Sequence, residues 1–64
     1  MSDCVFSLLI ATAAQGRFHL CDDVTVAAGT PEADTRDGII RDWADREGID
    51  PADATVLGWN ITPA

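Results

Sequence analysis

Apolar residues recur along this chain in two rhythms. From residue 4 to 12 the run Cys-Val-Phe-Ser-Leu-Leu-Ile-Ala-Thr is rich in β-branched and aromatic side chains, which suit a strand. On an extended backbone Phe6, Leu8 and Ile10 share one side, and Val5, Ser7, Leu9 and Ala11 share the other. Residues 13–16, Ala-Ala-Gln-Gly, read as a short hairpin loop in which glycine supplies an unusual backbone angle. Residues 17 to 27 read as the return strand, with Phe18, Leu20, Val24 and Val26 in one phase. Asp22 shares that phase. Either a bulge interrupts the strand at Asp22-Asp23, or the core has ended before Asp22. A hairpin centred near Gln15 sets Phe6 opposite Val24 and Ile10 opposite Leu20. Cys4 then faces the core side and Cys21 the opposite side, several residues apart along the ladder. A disulfide within the chain is not expected, because its Cβ atoms must lie about 3.5–4.5 Å apart.

The second rhythm is helical. Thr30-Pro31-Glu32 combines a capping hydroxyl, a proline at the first helical position and an acid in the first turn, with Thr35 as a second possible cap. Ala33, Arg36, Ile39, Ile40, Trp43 and Glu47 follow at helical spacing, and Ile39, Ile40 and Trp43 form the apolar stripe. Gly38 weakens this helix by about 1 kcal/mol relative to alanine. Gly48 is placed as the C-terminal cap, with Ile49 positioned to fold back on the last turn. Asp50-Pro51-Ala52-Asp53 is a turn. Residues 55 to 62 form a third strand with Leu57, Trp59 and Ile61 on one face, and Pro63 stops it. The order β-β-α-β predicts an α+β fold of two layers, one helix packed on a three-stranded, mainly antiparallel sheet, with residues 1–64 as a single domain. The third strand is expected to run parallel to the second after a right-handed crossover; a split arrangement would instead place the first strand in the middle and make the sheet antiparallel throughout.

Size and charge narrow the function. The chain has 64 residues, and 11 acids against 4 arginines give a formal charge of −7. It has no room for a multidomain enzyme or a nucleotide fold of repeated βαβ units. The acidic balance argues against nucleic acid, whose phosphates require Lys and Arg, and against an anionic membrane surface. A hydrophobic share of 47% is too high for disorder. A chain this short buries only about 60% of the surface it exposes when unfolded, so disulfides, a metal or a partner subunit often complete such domains. Two cysteines are too few for a disulfide framework. The run from Val5 to Ile10 followed by Ala11-Thr12-Ala13 has the look of a signal sequence with its cleavage site. Met1-Ser2-Asp3 before it holds an acid and no base, and the segment is short, so it reads as a strand. A cytoplasmic protein with reduced thiols and no membrane span is the expectation.

The stretch from Asp34 to Pro51, with Asp34-Thr35, Ile39, Trp43 and then Asp45-Arg46-Glu47-Gly48-Ile49-Asp50-Pro51, resembles the helix and exit turn of ubiquitin-like β-grasp domains without gaps. The preceding hairpin and following strand extend the likeness over most of the chain. The resemblance implies a hairpin, a crossing helix and a return to the sheet. β-grasp domains carry a further strand beside the first one, and the family's modifiers end in Gly-Gly, whereas residues 62–64 here are Thr-Pro-Ala. No conjugation activity is implied. The Arg-, Ala- and Asp-rich, Lys-free composition is similar to that of small proteins of actinobacteria and their phages.

Three constellations could carry chemistry. His19, Cys21 and Asp23 alternate on one strand and share a face. They suggest a metal site or an activated thiol, but three successive same-face positions span roughly 13 Å, too far for one ion. A Cys–His nucleophile also needs a cleft and an oxyanion site, so no catalytic residue, metal ligand or cofactor is expected, and a thiol or metal enzyme is the weakest reading. The helix is crowded with Glu32, Asp34, Asp37, Asp42, Asp45 and Glu47, interspersed with Arg36, Arg41 and Arg46. This is either a solvated face with pairs such as Asp37–Arg41 and Asp42–Arg46, or a negative strip imitating DNA phosphates for a basic protein. The outer sheet face holds Val5, Leu9, Ala11, Cys21, Thr25 and, on this reading, Val56. An apolar patch there, or the open edge of the third strand, suits a protein partner or a second copy. The sequence therefore points to a small acidic non-catalytic protein-binding protein, a homodimer through the outer sheet face or an edge strand. Val5, Leu9, Ala11, Asp34, Asp37 and Asp45 are its candidate contact residues, and the alternative is an acidic nucleic-acid mimic.

Overall fold

The computed structural model describes residues 1–64. Strand β1 (Ser2–Thr12) and strand β2 (Gly16–Val26) form a hairpin, helix α1 (Glu32–Glu47) follows, and a 3-10 turn (Pro51–Asp53) leads into strand β3 (Ala54–Pro63). The sheet order is β2-β1-β3, antiparallel throughout. The fold is thus α+β, one helix on a three-stranded sheet, with β1 in the middle. β3 hydrogen-bonds directly to β1, in the slot that the β-grasp resemblance assigns to a further strand. No helix is long and apolar enough to cross a membrane.

Two features of register differ from expectation. The hairpin is centred on Ala14, so Phe6 faces Asp22, Leu8 faces Leu20 and Ile10 faces Phe18. The shift of two residues keeps every side chain on its predicted side. Thr12 explains the tighter loop: its buried hydroxyl accepts from Gln15 N–H at 3.0 Å and donates to the Gly16 carbonyl at 3.3 Å. The β1–β2 ladder runs unbroken past Asp22, which stays exposed because β2 is an edge strand.

The bulge lies in β3 instead. Leu9 pairs with Gly58 and Ile10 with Val56, leaving Leu57 as the extra residue. An extra residue reverses the alternation beyond it. Trp59 and Ile61 face the helix, as predicted, but on the other side of the bulge the helix-facing positions are Val56 and Ala54. A shallow hollow lined by Ile40, Ala54 and Val56 confirms that side. Leu57 is therefore not on the core face, and Val56 is not on the outer one.

Helix α1 starts from another cap than the sequence suggests. Pro31 is the N-cap, with no side-chain cap, because Thr30 lies one residue too early and closes a turn onto the Ala27 carbonyl. The helix entry is held instead by Glu32, whose Oε1 accepts from Trp59 Nε1 at 2.7 Å. The exit is as expected. Gly48 adopts the left-handed conformation (φ 70°), and Ile49 N–H donates to the Ala44 carbonyl at 2.9 Å. The core is small: Phe6, Leu8, Ile10, Ile40, Trp43 and Ala44. Trp43 meets Phe18 edge-on at 5.1 Å, and Trp59 stacks on Phe6 at 6.1 Å. A 16-residue helix is about 24 Å long, while 11-residue strands run about 36 Å. One helix thus covers part of one face, and the other face of the sheet has no covering layer.

Candidate functional site

The uncovered sheet face collects the odd-numbered residues of the hairpin. Along β1 lie Asp3, Val5, Ser7, Leu9 and Ala11; beside them on β2 lie Thr25, Asp23, Cys21, His19 and Arg17. β3 adds Thr62, Asn60, Gly58 and Thr55 beside Val5, Ser7, Leu9 and Ala11, and a Cβ on Gly58 would sit 3.7 Å from that of Leu9. Leu57, between inward Val56 and outward Gly58, falls on this side as well. Val5 is 42% exposed and Leu57 48%; Leu9 and Ala11 are half-buried by their neighbours. The bulge therefore takes the expected Val56 off this face and leaves Leu57 exposed in its stead.

At the middle of the face three side chains meet. His19 Nε2 lies 2.8 Å from Ser7 Oγ and 3.3 Å from Cys21 Sγ. Ser7 and Cys21 are direct cross-strand partners, and His19 reaches them diagonally from its place opposite Leu9. A single ring nitrogen carries one lone pair or one proton, so it completes one of the two contacts at a time. Alternation on β2 gave the His19–Cys21 pairing; Ser7 was missed because its meeting with them depends on the hairpin register. Asp23, the third member of the expected alternation, does not join. No group of three or more His, Cys, Asp or Glu is placed to hold a metal within one chain. The face is open, and the main hollows lie along the helix and at the sheet ends, away from these side chains. Cys4 sits on the helix side, and both thiols are free.

Charge is divided unevenly between the layers. Asp3, Asp23 and Arg17 give the uncovered face a formal charge of −1, and Asp3 there accepts from the Thr25 hydroxyl at 3.2 Å. Nine acids and three arginines elsewhere carry −6. On the helix, Asp34 and Asp45 lie eleven residues apart on one outward line with Arg41 between them. Asp37 is exposed and bonded to its neighbour: Arg36 Nε and an Nη each reach its Oδ1 at 3.3 Å. The expected Asp37–Arg41 and Asp42–Arg46 pairs do not form; Arg36–Asp37 is the one salt bridge of the chain. The six candidate contact residues thus form two separate surfaces, Val5, Leu9 and Ala11 on the sheet and Asp34, Asp37 and Asp45 on the helix.

Compared with protein-family models, curated proteins and solved structures, the chain matches none. What it does has to be argued from these two surfaces.

Proposed function

We propose that this chain is a small non-catalytic protein-binding protein that works as a homodimer, two copies stacking their uncovered sheet faces. The observation that carries this is the one-sided layering, with Val5, Leu9, Ala11 and Leu57 left on a face that holds −1 of the −7 charge. Three strands about 4.8 Å apart and about 36 Å long offer roughly 500 Å² per copy, so a pair buries roughly 1,000 Å², the lower bound for a stable interface.

The pattern on the face is self-complementary. Ser7 is the middle of β1 and Cys21 the middle of β2. A twofold axis crossing the strands at that level lays Leu9 of one copy on Val5 of the other, twice over. It also lays His19 over Asp23 and brings Arg17 towards the end that holds Asp3. Edge pairing is less suited. β2 carries Asp22 and Asp23 along its edge, and β3 is bulged and ends in Pro63, both devices that discourage strand addition.

Sedimentation equilibrium in reductant and chelator tests this. A dimer is expected that Leu9→Asp converts to a folded monomer; a parent chain that stays monomeric into the hundred-micromolar range overturns it. Helix α1, with six acids and three arginines, carries −3 and supports a second reading, an acidic surface offered to a basic protein in place of DNA. That complex should weaken with salt and on Asp37→Asn with Asp45→Asn.

A further inference from the structure

We infer that His19 and Cys21 are half of a tetrahedral metal site, suited to zinc, that the same pair from a second copy completes. The inference rests on the face-to-face homodimer above and adds a ligand to it. Its first support is the spacing of the donors. Nε2 and Sγ are 3.3 Å apart. Zinc bonds of about 2.0–2.1 Å to nitrogen and about 2.3 Å to sulfur, at a tetrahedral angle, set such atoms about 3.6 Å apart. Both residues are exposed, so nothing packed around them opposes an opening of a few tenths of an ångström. Same-face neighbours on a strand start about 6.6 Å apart at the backbone, so the convergence of their tips is the feature that makes a chelating pair.

One chain brings two donors together and zinc takes four, so a second copy has to supply the other two. The second support is symmetry. The twofold axis at the level of Cys21 sets the two sulfurs facing one another. Stacked sheets lie about 10 Å apart, which leaves roughly 4–5 Å between sulfurs reaching inward from each. Two thiolates on one zinc ion lie roughly 3.8 Å apart. The same axis holds His19 over Asp23 of the second copy, whose carboxylate can accept from Nδ1–H and fix the ring with Nε2 towards the metal. Binding releases one proton from each thiol to solvent, leaves both imidazoles neutral, and takes from Nε2 its contact with the Ser7 hydroxyl.

The test is cobalt(II), a spectroscopic substitute for zinc, titrated into the reduced full chain, with sedimentation run in parallel with and without chelator. Expected are the intense visible bands of a tetrahedral thiolate site, saturating at one metal per two chains and displaced by zinc. They should vanish in His19→Ala and in Cys21→Ser and persist in Cys4→Ser, and zinc should tighten the dimer at least tenfold. A dimer in chelator that gives no such bands overturns the metal site and leaves the homodimer intact. A monomer in chelator that pairs on adding zinc, at one metal per two chains, supports the shared site and overturns the metal-independent homodimer proposed above. Saturation at one metal per chain, or bands that survive Cys21→Ser, overturns the shared site. A monomer under every condition overturns both readings.

Discussion

Leu8 and Leu9 are adjacent, chemically identical and on opposite sides of the sheet, so they separate the two layers cleanly. Leu8 is 0% exposed, paired with Leu20 on one side and Trp59 on the other. Truncating it to alanine removes the transfer energy of its methyl groups and leaves a cavity beneath the helix, costing about 2–5 kcal/mol. A chain of this length has roughly 3–10 kcal/mol of stability in total, so Leu8→Ala removes much or all of it. In melting temperature that is roughly 10–40 °C at the sensitivity of a small domain. Leu9 is half-buried on an uncovered face, so alanine there gives up partial burial with no closed cavity, about 1 kcal/mol or less. Urea unfolding followed by the fluorescence of Trp43 and Trp59 measures both. The parent and Leu9→Ala should lie close together at low micromolar concentration, with Leu8→Ala far below. Raising the concentration should widen the gap between parent and Leu9→Ala, because association stabilises only the chain that keeps the contact. Equal losses at the two positions at low concentration would refute the layer assignment. A Leu9→Ala gap that ignores concentration would refute the role given to that face.

Other expectations follow from single residues. Gly38 lies mid-helix with open space where a Cβ would go, so Gly38→Ala should stabilise by about 0.5–1 kcal/mol in thermal melts. Gly48 sits at φ 70°, and Gly48→Ala should destabilise by about 1 kcal/mol, lowering the urea midpoint at constant slope. Glu32→Ala removes the carboxylate that receives the Trp59 N–H; a loss of about 1–2 kcal/mol and a change in Trp59 emission are expected. Thr30→Ala should fall within about 0.5 kcal/mol of the parent, because its hydroxyl caps nothing; a loss of a full cap's worth would restore Thr30 as the N-cap.

The sequence by itself determined whatever depends on near neighbours. Alternation separated Phe6, Leu8 and Ile10 from Val5, Ser7 and Leu9. Helical spacing found Ile40 and Trp43, and Gly48 marked the exit because a left-handed residue is needed there. The pairing of strands depended on distant residues. A period of two is unchanged by a shift of two, so the pattern could not distinguish a hairpin centred on Gln15 from one centred on Ala14, and only the second brings Ser7 to His19 and Cys21. The bulge at Leu57 arises where β3 meets β1 across some fifty residues of chain, and no local signal records it. It moved Val56 inward and Leu57 outward, and so changed which residues make up the uncovered face. Ala44, small and four residues after Ile40, is fully buried, a burial that the assembled layers decide and that its own size does not announce.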